Sequence, residues 1–281
     1  MKAGALQHLS PASKMILLLA MMLVAVIFVS LFVGLLGFSL YGTIDFDPEL
    51  LMSDIRLVKI LQLFQSVFVF IIPSAFAAYL FFAAPLSGFH GDVRIRFNVL
   101  FISAIAILVS QYFIVWTGYV NSQMVLPESW EKISMWITQT EEEAIRITMK
   151  LTESNAGVGF VVNVIILALV PAIGEEWLFR GHLQRYFGDW TKSVHMAIFI
   201  TSVLFATMHL QFMTFLPRFF LGMILGYLFY YGGNLWYSII GHFANNFLAL
   251  LLMRVNETET VVTNPMEMQQ GFTFSVGVVF S

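Results

Sequence analysis

The chain contains no cysteine. That absence removes disulfides, thiolate metal sites and any cysteine nucleophile together. Charge is the second scarcity. Only 11% of the 281 residues are Asp, Glu, Lys or Arg, against roughly 25% in soluble domains. The net charge of −3 gives no case for nucleic-acid binding. Two protease signatures are missing as well: there is no His-Glu-x-x-His and no Gly-x-Ser-x-Gly. What fills the chain is apolar: 59% of residues are hydrophobic, with 29 Phe and 15 Met. A soluble fold has no place for so much apolar side chain, because most of it would face water. The composition is that of an integral membrane protein.

Apolar stretches near 15–41, 58–84, 97–120, 157–187, 193–211, 216–231 and 234–254 are candidate spans, since a hydrocarbon core of ~30 Å takes about 20 helical residues. The first is too long for the apolar core of a signal peptide and has no small-residue cleavage site, so it reads as a retained span. The expected fold is therefore all-α: a polytopic transmembrane helical bundle of about seven spans, with an amphipathic extramembrane helix. Pro171 and Gly174 predict a kink in the fourth span. Gly222-x-x-x-Gly226 in the sixth would let another helix approach closely.

Two polar segments interrupt the spans. Residues 42–56 are acidic, with Asp45, Asp47, Glu49 and Asp54. Residues 121–155 read as an amphipathic helix, with Trp130, Ile133, Trp136 and Ile137 on one side and Glu141 to Glu143 nearby. It is expected to cap the membrane surface, or alternatively to gate substrate access. The domain reading is 1–156 for N-terminal spans and loop helix, 157–254 for a core, and 255–281 for a tail. Within the tail, residues 271–280 alternate like a strand but are too short for a domain. Arg94, Arg96, Arg185 and Lys192 in short loops place the N-terminus in the cytoplasm and the tail outside, by the positive-inside rule.

A charged group within the bilayer costs at least a few kcal/mol, so each one is a functional candidate. They cluster late in the chain: Glu175, Glu176 and Arg180, then His209, then His242, Asn245 and Asn246. Glu176 and Arg180 are four apart with the acid first, the better order for an ion pair on one face. Glu175 projects elsewhere and is left for chemistry. His242 and Asn246 share a face, Asn245 points away, and Phe205 lies one turn before His209. His182, His195 and Arg218 read as interfacial, and Trp177 and Phe179 as packing. At ~1.5 Å per residue from alternating ends, Glu175, His209, His242 and Asn246 all reach mid-membrane.

A carboxylate, two imidazoles and a carboxamide suit acyl-transfer hydrolysis. The carboxylate takes a proton from water, one imidazole orients that water, and the other with the carboxamide stabilises an oxyanion. Glu175, His209 and His242 could instead hold zinc, with metal-bound water as nucleophile.

Glu175-Glu176-x-x-x-Arg180, Phe205-x-x-x-His209 and His242-x-x-x-Asn246, intact and in order across 157–254, resemble the three motifs of one family. It is the CAAX protease and bacteriocin-processing (CPBP or Abi) family of intramembrane proteases, which includes the type II CAAX prenyl endopeptidases. The resemblance implies a glutamate-dependent peptidase with Glu175 as general base and His209 helping to activate water. It also implies His242 and Asn246 as oxyanion donors, and Glu176 with Arg180 as support beside Phe205. No metal is required on this reading, although members were long called metalloproteases and zinc is carried over as an alternative. The implied partners are the lipid bilayer and a peptide or lipidated-peptide substrate, in a bacterium at the inner (cytoplasmic) membrane. Substrate and oligomeric state are not readable. Two other functions compete: a non-catalytic scaffold or bacteriocin-immunity protein of the same fold, and an ion-coupled transporter. The second lacks the inverted repeat of many transporters.

Overall fold

A computed structural model describes residues 2–42, 53–84, 94–124, 126–153 and 157–259, with side chains as far as 255. Asp45, Asp47, Glu49 and the alternating 271–280 stretch lie outside the described residues.

The protein is helical, and each helix begins and ends where its sequence allows. Helix α1, Pro11–Tyr41, starts on the Ser10 side chain, which accepts from the Ser13 N–H, with proline in the first turn. It stops at Gly42, whose φ of 72° a glycine adopts without strain. Helix α2, Ile55–Phe81, is capped by Asp54. Helix α3, Phe97–Ser122, leads to the amphipathic α4, Glu131–Thr152. Helix α5, Gly157–Thr191, is followed by α6, Val194–Met208, α7, Phe215–Gly232, and α8, Leu235–Glu259.

Six of these segments are long and apolar enough to cross a membrane, and α6 is a shorter apolar helix. The outer helices turn their apolar side chains outward: Ile16, Leu23 and Val24 of α1 and Phe101 and Val109 of α3 are more than half exposed. In water that surface would drive aggregation; against lipid it is the favourable arrangement. The protein is an integral membrane protein with a polytopic helical bundle.

Hydrogen bonds between helix ends fix the alternation of direction. The N–H groups of Gly4 and Leu6 donate to the carbonyls of Tyr79 and Leu80 at the end of α2, each at 2.9 Å. The Arg96 N–H donates to the Tyr237 hydroxyl at 3.0 Å, and His195 bonds the Tyr227 hydroxyl at 2.8 Å. The N-terminus, the ends of α2, α5 and α7, and the starts of α3, α6 and α8 therefore share one side. At the opposite side, the Asn121 carboxamide ties the end of α3 to the start of α7 through Phe212 and Leu216.

The fourth span runs without interruption from Gly157 to Thr191. It widens twice into π-helix, at Val164–Leu169 and Trp177–Leu183. Pro171 has no N–H for the carbonyl of Leu167 four residues earlier. The extra residue of a π turn accommodates that mismatch within the helix. Helix α2 does the same at Val67–Ile71, just ahead of Pro73. The two widened helices meet at Gly174, where a Cβ would lie 3.0 Å from Phe70 Cβ and 3.1 Å from Ile71 Cγ1. Gly174→Ala is expected to cost about 1–3 kcal/mol through overpacking, read as a lower melting temperature in detergent. A variant that melts with the parent would show that this crossing can yield.

Gly222 and Gly226 do bring a helix close, and it is α6: a Cβ at Gly222 would lie 3.2 Å from Ser202 Cα. Their bare backbone also serves α5. Arg180 Nη2 donates to the Gly222 carbonyl at 2.9 Å and Gln184 Nε2 to the Gly226 carbonyl at 3.1 Å.

The amphipathic segment is placed differently from its sequence pattern. Trp130, Ile133 and Trp136 are about half exposed, whereas Ile137, Glu141, Leu151 and Thr152 face the protein. One face of α4 thus covers the bundle while the tryptophans turn away from it.

Candidate active site

The polar residues of α5 divide as their spacing implies. Glu176 and Arg180 are both fully buried, and Arg180 Nη1 donates to Glu176 Oε1 at 2.6 Å. The same oxygen lies 2.9 Å from His242 Nδ1. A carboxylate oxygen only accepts, so Nδ1 of His242 carries the proton. Glu176 therefore couples α5 to α8 as well as closing its own ion pair, a role its spacing to Arg180 did not reveal.

Glu175 points the other way, into a cavity of about 410 Å³. His209, Arg218 and Asn246 share its wall, with Leu167 and Pro171 of α5 and Thr148 and Leu151 of α4. Glu175 is 9% exposed, and its Oε2 has no hydrogen-bond partner among the described residues. Such a group costs free energy unless something arrives to satisfy it.

His209 reaches the cavity because α6 is short. Its 15 helical residues end at Met208, a rise of ~22 Å that cannot cross a ~30 Å core. His209 follows at the helix terminus, and the chain turns back through Leu210 at φ 54°. Its Nδ1 bonds the Phe205 carbonyl at 2.8 Å. A carbonyl also only accepts, so Nδ1 is protonated and Nε2 of the neutral ring holds a lone pair. Phe205, fully buried, is the hub of this packing. Its ring centroid is 5.0 Å from that of His209 and 5.8 Å from that of His242, and Arg180 Cζ lies 5.0 Å above it.

Asn246 is oriented by neighbours on two helices. Gln111 Nε2 of α3 donates to Asn245 Oδ1 at 3.1 Å, and Asn245 Nδ2 donates to Asn246 Oδ1 at 3.2 Å. Asn246 Nδ2 then faces α5, 3.5 Å from the Leu167 carbonyl, the one that Pro171 cannot bond. Asn245 stays out of the cavity lining, as its spacing suggested, and reaches Gln111 of α3 instead. It is buried and sets the direction of the neighbouring amide.

The structure thus brings Glu175, His209 and Asn246 to one cavity. His242 stands immediately behind it, fully buried against Glu176 and Phe205.

Two further expectations are corrected. Arg218 is not an interfacial anchor. It is 2% exposed, lines the cavity, and bonds Thr214 and Gln211 through its two terminal nitrogens. The signal was available, since Arg218 is a charge next to an apolar run, but Pro217 suggested a helix end at the membrane face. His182 is not interfacial either. It is fully buried between the Tyr186 hydroxyl and the Ser74 carbonyl, each at 2.9 Å. His195 is exposed, as expected of an interfacial residue.

Helix α4 forms part of the cavity wall, and Glu141 joins it to the segment after α6. Gln211 Nε2 lies 3.5 Å from Glu141 Oε1, and the Met213 N–H also serves this carboxyl. Burial pushes the Glu141 carboxyl above the ordinary glutamate value, against the pull of Arg218 and that N–H. A carboxyl raised on folding contributes fully below its unfolded value and loses that contribution as pH rises past it. Glu141→Gln is therefore expected to raise the melting temperature more at about pH 7.5 than at about pH 4. An equal change at both would mean that folding does not raise the pKa of this carboxyl.

Among the described residues, no three His, Asp or Glu side chains form a group that could hold a metal. Of the alternative ligand set, Glu175 and His209 line the cavity and His242 does not. These residues as arranged do not make a zinc site.

Residues 157–248 match the sequence model of a family described as type II CAAX prenyl endopeptidase Rce1-like. The uncharacterized protein YpbD of Bacillus subtilis is 31% identical over 87 residues, which are 30% of this chain and 41% of YpbD. The chain therefore spans less than half of the length of that relative. No solved structure matches significantly. The matched region contains Glu175, Glu176, Arg180, His209, Arg218, His242 and Asn246, and it is this part of the chain that is similar to the type II CAAX prenyl endopeptidase Rce1-like family.

Proposed function

We propose that the protein is an intramembrane endopeptidase that hydrolyses a peptide bond in a membrane-associated peptide or lipidated peptide. One observation carries this reading: a carboxylate with an unpartnered oxygen shares a buried cavity with an imidazole lone pair and a fixed carboxamide.

Water between Glu175 and His209 would give a proton to Glu175, while Nε2 of His209 accepts its other hydrogen and aims the oxygen. The oxygen attacks the scissile carbonyl, forming a C–O bond and an oxyanion. Asn246 Nδ2 would donate to that oxyanion, and the Arg218 charge in the same wall would stabilise it further. His242 can join only as the doubly protonated ring, because its Nδ1–H is already given to Glu176. Collapse breaks the C–N bond, and the proton held by Glu175 passes to the leaving amine. Low dielectric strengthens each of these interactions, which is a reason to build such a site within the membrane.

The test uses the purified full-length protein in proteoliposomes with membrane peptides recovered from its host. New peptide termini should appear with the parent and be absent with Glu175→Gln. The same products from both would refute the assignment. Loss of activity on chelation, restored by stoichiometric zinc, would overturn the metal-free chemistry while keeping the peptidase.

A further inference from the structure

The cavity that holds Glu175 has a second polar wall, which the hydrolytic chemistry leaves unused. Gln62 and Gln65 of α2 line the same space as Glu175, His209 and Asn246. They lie roughly 10 and 15 Å along α2 from Ile55, inside a segment apolar enough to cross a membrane. A carboxamide at that depth is costly unless something bonds it. Gln62 is half-buried and Gln65 exposed, and neither side chain has a hydrogen-bond partner among the described residues.

Close packing fixes this pair relative to Glu175. Helices α2 and α5 cross at Gly174, where a Cβ would lie 3.0 Å from Phe70 Cβ and 3.7 Å from the Ser66 carbonyl oxygen. Gln65 precedes Ser66 and Glu175 follows Gly174, so the crossing brings one polar residue of each helix to the cavity. Gln62 is one turn before Gln65 on the same face. Ile147 and Leu151 of α4 and Leu167 of α5 make an apolar wall beside them.

A helix keeps its carbonyls bonded to its own N–H groups, so a peptide bond must be unwound before water can attack it. A segment unwound at membrane depth needs new partners for its backbone. Each glutamine carboxamide brings an N–H donor and a carbonyl acceptor, the two groups that complement one peptide unit. In an extended chain, the groups on one edge recur every ~7 Å. Two flexible side chains whose Cβ atoms are ~5–6 Å apart can meet that repeat.

Resting on the peptidase reading of this cavity, we propose that Gln62 and Gln65 form a backbone-binding subsite that holds an unwound, extended segment of the substrate beside Glu175. Recognition at this subsite is of main chain. The substrate side chain that turns towards Ile147, Leu151 and Leu167 is apolar.

Full-length protein carrying Glu175→Gln, in which hydrolysis is removed, is titrated in detergent with a dansyl-labelled heptapeptide of alternating leucine and alanine flanked by lysines. Binding is read as fluorescence anisotropy. A second peptide is N-methylated at its three central residues, which removes backbone donors while keeping every side chain. The first peptide should bind saturably, and the second about tenfold more weakly. Adding Gln62→Leu and Gln65→Leu should weaken the first peptide about tenfold and bring the two peptides to similar affinity, without lowering the melting temperature. The comparison of peptides decides the matter if that variant does not fold. No saturable binding of the first peptide, equal affinity for both peptides, or an affinity unchanged by the two leucines would overturn the proposal. Binding is read without turnover, so failure here is distinct from failure to produce new peptide termini, which refutes the peptidase itself.

Discussion

Glu175→Gln is expected to reduce peptide hydrolysis by about 10²–10⁴-fold, the span over which a positioned general base contributes. The protein should otherwise remain as it was. The substitution preserves size, and the Oε2 that becomes an amide has no hydrogen-bond partner to lose. It also removes a carboxylate from a largely buried site, a change that does not by itself destabilise a fold. The melting temperature should therefore match or exceed that of the parent. Measuring both quantities on one preparation separates chemistry from folding. If the rate stays within about tenfold of the parent, Glu175 is not the base. If the rate falls together with the melting temperature, the carboxylate is a structural group.

The second large effect falls five residues along, at Arg180, and has the opposite character. Arg180 gives one terminal nitrogen to Glu176 at 2.6 Å and the other to the Gly222 carbonyl at 2.9 Å. Its guanidinium also lies over Phe205. Arg180→Met would leave the Glu176 carboxylate buried with His242 as its remaining hydrogen-bond donor among the described residues and strip the Gly222 carbonyl of its side-chain donor. Removing one member of a buried ion pair typically costs about 3–5 kcal/mol. The variant is expected to melt well below the parent or to fail to accumulate. Adding Glu176→Gln should recover part of that loss, because the uncompensated charge goes with it. A strictly additive double variant would mean that the two side chains do not depend on each other. Arg180→Met at parental stability would mean that the pair does not hold α5 against α7.

Adjacent glutamates with opposite duties follow from helix geometry. Successive residues differ by about 100° around a helix axis, so two neighbours cannot both face one cation. Arg180 selects Glu176, and Glu175 is turned to the cavity. The π segment Trp177–Leu183, beginning immediately after them, lies between these groups and the rest of α5. Insertions of this kind recur at functional sites because they re-aim side chains without ending the helix.

Much of this was legible in the sequence. The scarcity of charge and the length of the apolar runs determined that the chain spans a membrane as helices, because a backbone in lipid must satisfy its own hydrogen bonds. The four-residue spacings determined which polar side chains share a face. They separated Glu175 from Glu176 before any coordinates, and the three motifs pointed to the family that residues 157–248 match.

Other features depend on distances between segments that no spacing encodes, and only the tertiary structure decided them. Glu176 meets His242 across 66 positions of sequence. Gln111 reaches Asn245 across 134 and so orients the Asn246 amide. Arg218, which looked like an anchor at the membrane face, became a cavity residue because the turn after the short α6 and part of α4 share the cavity wall with it. Hydropathy reports how a residue partitions between water and lipid. It is silent on which helix lies opposite, and a charge buried among helices carries the same letter as one at the membrane surface.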